Sequence, residues 1–366
     1  MSESLYAEEQ PARSEDALKA RAALHRSMPV TRMLDYGMDH WDAVHLTAAP
    51  AEAPWHEVAA GIADAHQARA DAAARDGDVE TAVAAYRRAS AALNFAQMSL
   101  PDGELRRTLY AGLTSLYQSA ADLDSDLRVQ RMQVPFRGSS CTAWLVRPRT
   151  DLPHPVVVIV GGQSGWGPAY HLQAQAFARR GLATVLLEAP GQGETRMSGG
   201  LHLDGGVQGV FSATVDVMQD LTGYDGPFGV WGNSFGGLLA ARAAVFDERF
   251  GACCVNGAAP APVPLPFRAM REQSYALLGV SSDEEVGEIF RQLWLEPPTH
   301  RMSASLLVVH GGKDPLVTQE QQEGFLGLSE DARMLIWEDG EHTIYNHSAE
   351  RTDVVCDWFR AHLTPH

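Results

Sequence analysis

Past residue 126 the sequence alternates short apolar runs, rich in β-branched residues, with helical stretches, and this alternation restricts the fold more than any other feature. "RVQRMQVPF" and "CTAWLVRP" alternate apolar and polar positions, as an antiparallel pair does. "PVVVIVGG" is a continuous apolar run of the kind buried on both faces of a parallel sheet. A helix over 170–180, strand "ATVLLEA", a helix over 207–224, strand "PFGVWG" and a helix over 237–246 follow. The series continues with "FGACCVNGA", "ASLLVVHGG", helix "QEQQEGFLGL", strand "ARMLIWED" and helix "AERTDVVCDWFRAHL". Strands alternating with helices predict an α/β class fold, a mostly parallel, doubly wound sheet covered on both sides.

Residues 1–126 have a different rhythm. "WHEVAAGIADAHQARADAAARDGDVETAVAAYRRASAALNFAQMSL" is rich in Ala and repeats apolar positions at three- and four-residue intervals, which predicts helices. Gly77 stops one helix and Asp78 is placed to cap the next; a further helix is expected in "ELRRTLYAGLTSLYQSAADL". Two domains follow: a helical N-terminal cap over 1–126 and a catalytic domain over 127–366. Inside the second, residues 259–300 interrupt the alternation with a Pro-rich loop and helix. An insertion there is expected as a lid over the carboxyl ends of the strands, where open sheets bind ligands.

The composition is globular, with 45% apolar and 20% charged residues. No run approaches the roughly 18 apolar residues of a membrane helix. "MSESLYAEEQPARSEDALKA" lacks the basic and apolar regions of a secretory signal, so a cytoplasmic location is expected. A net charge of −17 repels phosphate backbones and anionic lipid, which argues against nucleic-acid and membrane partners. The four cysteines, Cys141, Cys253, Cys254 and Cys356, have no C-x-x-C spacing and read as ordinary reduced thiols.

The sharpest motif is "VWGNSFGG", a G-x-S-x-G centred on Ser234 between a predicted strand and a predicted helix. Such a nucleophile elbow needs small flanking residues, here Gly232 and Gly236, so that the backbone can bend and the helix can pack closely. A serine hydroxyl needs a base held by an acid to attack at neutral pH. Asp314 follows the next-to-last strand in "HGGKDPLV", and His342 follows the last strand in "DGEHTIYNH". Asp314 also precedes Pro315 and fits a simple turn-former. The backbone N–H groups of Gln163, in "GGQSGWG", and Phe235 are the expected donors to a developing oxyanion. The glycines of that loop do not have the G-x-G-x-x-G spacing of a dinucleotide site, and no His/Cys/Asp cluster has ligand spacing. No cofactor and no metal are expected.

Together with the helical N-terminal half, "GGQSGWG", "RRGLATVLLEAPGQGET", "GNSFGG", "HGGKDPLV" and "DGEHTIYNH" resemble a group of the α/β-hydrolase superfamily. That group comprises 2,6-dihydroxypseudooxynicotine hydrolase, FrsA-type esterases and fungal enzymes that shorten polyketide pigments. "RMLDYGMDHWD" and "GDVETAVAAYRRASAALNFAQ" resemble its N-terminal cap, so the likeness covers most of the chain. Glu188 stands where many members have an aspartate before Pro-Gly-x-Gly, and "WGPAYH" replaces acidic residues common after the oxyanion glycines. The resemblance implies a Ser234–Asp314–His342 hydrolase for an ester, or for a C–C bond next to a ketone, in a small aromatic or polyketide-like substrate. Relatives in tetronate pathways imply an alternative, a lyase eliminating acetate from an acylated intermediate. A hydrolase fold without catalysis, serving as a ligand receptor, is the reading from another class. Trp166, Tyr36, Arg32 and Trp41 are the candidate substrate contacts, and an all-helical cap could pair two chains as a homodimer.

Overall fold

A computed structural model describes residues 9–150, 153–265 and 268–364. The start of the acidic N-terminal stretch, on which the expected location rests, lies outside these residues. No helix of the described residues is long and apolar enough to cross a membrane. The chain divides into two compact units, Met1–Leu123 and Asp124–His366. The division falls just before the expected boundary because the Asp124 carboxylate accepts the N–H groups of Asp126 and Leu127, both at 2.9 Å, and so starts the first strand.

The N-terminal unit contains helices Glu9–Ser27, Val30–Asp35, His40–Ala48, Trp55–Asp76, Val79–Met98 and Glu104–Leu123. Helix Val79–Met98 packs between its two long neighbours. Its buried Ala82, Ala85, Ala89, Ala92 and Ala96 let the backbones approach closely. Gly77 ends the preceding helix at φ 84°, a left-handed conformation that suits glycine. Asp78 departs from expectation: its side chain makes no capping bond. Its backbone N–H instead closes onto the Ala73 carbonyl at 2.9 Å, completing the end of the earlier helix.

The second unit is built on an eight-stranded sheet in the order β1-β2-β4-β3-β5-β6-β7-β8. The strands are β1 Leu127–Phe136, β2 Ser139–Pro148, β3 Val156–Val160, β4 Ala183–Leu187, β5 Phe228–Asn233, β6 Phe250–Asn256, β7 Ser305–Gly311 and β8 Ala332–Trp337. β1 and β2 form a hairpin through Arg137 (φ 49°) and Gly138 (φ 76°), and β2 pairs antiparallel to β4. All other pairings are parallel.

Helices cover both faces, which explains the uninterrupted apolar strands. Val158, Val230, Val255 and Val308 join one core with residues of helices Gly209–Thr222 and Phe235–Phe246. On the opposite face Phe177 stacks edge-on against Trp231 (6.0 Å) and Phe359 (5.6 Å), tying helices His171–Ala178 and Ser348–Leu363 to the sheet. The helix expected over "QEQQEGFLGL" is shorter than predicted. It is capped by Thr318, runs only over Gln319–Glu323, and passes into a 3-10 turn at Leu326–Leu328.

The segment between β6 and β7 carries helices Arg268–Leu278 and Asp283–Leu293. Phe290 lies 5.4 Å from the Phe235 ring, and Arg242 donates to the Leu293 carbonyl at 3.0 Å. The insertion is thereby anchored beside the carboxyl end of β5. All four cysteines are free and buried.

Candidate active site

At the end of β5 the chain turns sharply at Ser234 (φ 55°, ψ −135°) and enters helix Phe235–Phe246. A left-handed φ is costly for a non-glycine residue, so the surroundings must hold it. The Ser234 N–H donates to the Asn256 carbonyl at 2.7 Å, and the Ser234 carbonyl accepts from Gly237 at 2.7 Å. A Cβ at Gly232 would overlap the Gly236 carbonyl, and one at Gly236 would overlap the Gly161 carbonyl. Only glycines permit this turn and this helix approach.

His342 Nε2 lies 2.8 Å from Ser234 Oγ, and His342 Nδ1 lies 2.8 Å from Asp314 Oδ2. A carboxylate only accepts, so Nδ1–H donates to Asp314, and Nε2 is left to accept from the serine hydroxyl. The Asp314 side chain is fully buried, and the His342 side chain is 14% exposed. Asp314 Oδ1 accepts the N–H groups of Leu316 (2.8 Å) and Val317 (3.2 Å). The turn-forming and imidazole-holding readings of Asp314 are therefore compatible, since each uses a different oxygen.

His342 opens a 3-10 stretch after β8 in which Thr343 (φ 52°) and Ile344 (φ 62°) are both left-handed. For a buried, β-branched Ile344 this is a strained geometry. It is fixed by long-range bonds to the Thr343 carbonyl, from Asn256 Nδ2 at 3.1 Å and from the buried Arg351 at 2.8 Å. Asn256 also donates to Asn233 Oδ1 at 2.8 Å. One side chain at the end of β6 thus ties the serine strand to the histidine loop.

The loop after β3 passes directly beside the serine: a Cβ at Gly162 would lie 2.8 Å from Ser234 Cβ. Gln192 Nε2 donates to the carbonyls of Gly161 (2.7 Å) and Gly162 (3.0 Å), and Trp166 Nε1 donates to Gly162 at 2.9 Å. In a trans peptide the C=O and the next N–H point in opposite directions. Holding the Gly162 carbonyl on the Gln192 and Trp166 side therefore turns the Gln163 N–H away from it. The Phe235 N–H belongs to the first helical residue and has no acceptor within its helix. Glu188 supports the loop from below. Its Oε2 accepts the Glu194 N–H at 2.6 Å, and its backbone carbonyl accepts from Thr195 Oγ1 at 2.6 Å, ordering the turn that carries Gln192.

Beside Ser234 and His342 lies a cavity of about 90 Å³. That is several water volumes, room for a small organic group. Its wall includes Leu238, Met270, Phe290 and Val317 with the side chains of Gln163 and Ser274.

The four candidate substrate contacts do not come together in this unit. Trp166 is 1% exposed, is not part of the cavity wall, and holds the loop behind it. Arg32 and Tyr36 are buried within the N-terminal unit, where the guanidinium lies 5.1 Å from the Tyr36 ring and donates to the Ser27 carbonyl. Trp41, in the same unit, is 74% exposed. Sequence reasoning missed Gln192, Asn256, Arg351 and Ser274. For Gln192 a signal existed, because it lies inside the "PGQGE" segment that carries the family likeness.

A family model described as the alpha/beta hydrolase fold matches residues 155–283. The chain has the alpha/beta hydrolase fold. It is similar to 2,6-dihydropseudooxynicotine hydrolase of Paenarthrobacter nicotinovorans, with 27% identity over 61% of this chain and 60% of that protein. It is also similar to the hydrolyase poxO of Penicillium oxalicum, with 30% identity over 54% of this chain and 50% of that protein. The matched stretch thus spans 60% or less of these curated relatives' length.

Among solved structures, the 2,6-dihydroxy-pseudo-oxynicotine hydrolase superposes with a TM-score of 0.81 at 23% identity, over 91% of this chain and 95% of the other. AbyA5 superposes with a TM-score of 0.65 at 18% identity, over 83% and 90%. At these identities the structural likeness speaks to the alpha/beta hydrolase fold.

Proposed function

We propose that the protein is a serine hydrolase that cleaves an ester, or a C–C bond beside a ketone, in a small aromatic or polyketide-like molecule. The observation that carries the reading is the unbroken chain from Asp314 Oδ2 through His342 to Ser234 Oγ, with both links at 2.8 Å. Ser234 Oγ attacks the carbonyl carbon while its proton passes to His342 Nε2. Asp314 holds the imidazole tautomer and stabilises the imidazolium. The Phe235 and Gln163 N–H groups receive the developing oxyanion. One such donor typically lowers the barrier by about 3–4 kcal/mol.

Collapse of the tetrahedral intermediate breaks the bond to the leaving group, which takes the proton from His342 as an alcohol or as a protonated carbon. Water, deprotonated by His342, then attacks the acyl-serine and releases the carboxylic acid. The relatives named as hydrolases support this reading of the arrangement.

A fluorophosphonate probe tests it. Mass spectrometry should find one adduct, on Ser234, and Ser234→Ala should lose both adduct and ester turnover. Turnover in ¹⁸O-water should place one heavy oxygen in the product acid. Product without that oxygen would speak for elimination of a carboxylate and overturn hydrolysis. Full turnover by Ser234→Ala would remove the serine from the chemistry.

A further inference from the structure

We propose that the cavity beside Ser234 selects an uncharged, largely apolar group bearing one hydroxyl, recognised by Ser274 together with the side chain of Gln163. The inference rests on the serine-hydrolase reading only in taking this cavity as the substrate's seat. Its wall is apolar: Leu238, Pro262, Met270, Phe290 and Val317 contribute, and among the described residues no Asp, Glu, Lys or Arg lines it. An ion entering would lose hydration without gaining a counter-charge, a penalty of several kcal/mol. The net charge of −17 adds to the disfavour for anions.

Two polar groups in this wall have unspent capacity. Gln163 Nε2 donates to Ser274 Oγ at 3.2 Å across 111 residues of chain. Ser274 is 5% exposed, and its own hydroxyl proton has no acceptor among the described residues. Gln163 Oε1 is buried with no hydrogen-bond partner. Buried polar atoms are nearly always paired, so an orphan acceptor in a cavity wall points to a ligand group. Whichever way the carboxamide is turned, the pair keeps one donor and one acceptor unused. A hydroxyl both donates and accepts and satisfies the two at once. A methyl leaves both unmade, and a carboxylate meets the acceptor with a like partial charge. Gln321, the remaining polar side chain in the wall besides Ser234 and His342, is exposed and has its oxygen engaged by the Thr318 N–H at 2.9 Å.

Calorimetric titration of Ser234→Ala with phenol, toluene and benzoate tests this without requiring turnover. The three rings are close in size and differ in hydroxyl, methyl and carboxylate. Phenol should bind about tenfold more tightly than toluene, the yield of one well-made buried hydrogen bond, and benzoate more weakly than either. Adding Ser274→Ala removes one of the two partners, so phenol should weaken several-fold towards toluene, with toluene unchanged.

Benzoate matching phenol, phenol unaffected by Ser274→Ala, or no binding by any of the three would overturn the proposal. So would phenol and toluene weakening together, which would assign Ser274 to packing. Missing fluorophosphonate labelling of the wild type would instead sink the serine-hydrolase reading, and the binding order would stand apart from it.

Discussion

The indole N–H of Trp166 donates to the Gly162 carbonyl at 2.9 Å, on the same oxygen that takes the Gln192 carboxamide at 3.0 Å. Two donors on one carbonyl fix the peptide whose other end is the Gln163 N–H. On the proposed mechanism, Trp166 serves the oxyanion through the backbone. Trp166→Phe keeps the ring and removes the donor. With Gln192 still in place, kcat should fall about tenfold, less than the 10²–10³ lost with a donor itself. KM should change little, and steady-state kinetics on one ester decides it. A rise in KM at constant kcat would return Trp166 to ground-state binding.

Asp314→Asn keeps an oxygen for the Leu316 and Val317 N–H groups and should fold normally. It replaces the acceptor of the His342 Nδ1 proton with a group that is no longer a carboxylate. kcat should fall roughly 10⁴-fold, as expected for an imidazole held in the wrong tautomer, with a melting temperature close to wild type.

Two glycines should separate folding from activity. At Gly232 an added Cβ would overlap backbone, the Gly236 carbonyl, which cannot move without opening the elbow. Gly232→Ala should lose about 3 kcal/mol or more, at the upper end of overpacking, read by urea unfolding. At Gly162 the added Cβ meets the Ser234 side chain, at 2.8 Å from Cβ and 3.2 Å from Oγ. Gly162→Ala should lose most turnover and fluorophosphonate labelling with a smaller change in stability.

Burial pushes the thiols of Cys141 and Cys356 up to about 12. In the unfolded chain a thiol titrates near 8.5. Between these values the unfolded state binds fewer protons than the native state, so stability falls as pH rises. Each of the two thiols contributes a slope of about 1.4 kcal/mol per pH unit across that window. Urea midpoints measured from pH 8 to pH 10.5 should decline, and replacing both residues with Ala or Val should make the decline shallower without abolishing it, because burial also raises the thiols of Cys253 and Cys254. At pH 8 a disulfide reagent should find no reactive thiol in the native protein and four after unfolding.

The parts of the site legible in the sequence are those with a local signature. Ser234 announced itself through a strand, two glycines and a helix, all within a short stretch. Asp314 lies in an Asp-Pro turn after a strand, and His342 in the loop after the last one. The sheet was equally legible, because β-branched runs such as Val156–Val160 have no other economical use. Asp78 and the helix after Thr318 were misjudged. Capping and helix length depend on which backbone groups compete for each N–H, and composition does not reveal that.

By itself, then, the sequence determined the order of elements, the two compositional halves and the identity of the residues able to supply a nucleophile, an acid and a base. Tertiary structure decided their geometry. Gln192 meets Gly162 across 30 residues, Asn256 meets Thr343 across 87, and Gln163 meets Ser274 across 111. Such bonds leave no periodic trace along the chain, because each partner looks locally like an ordinary polar residue at the end of an element. Only when the sheet brings those ends together do they hold Thr343 and Ile344 in a strained turn, aim a backbone N–H, and give the cavity its chemistry.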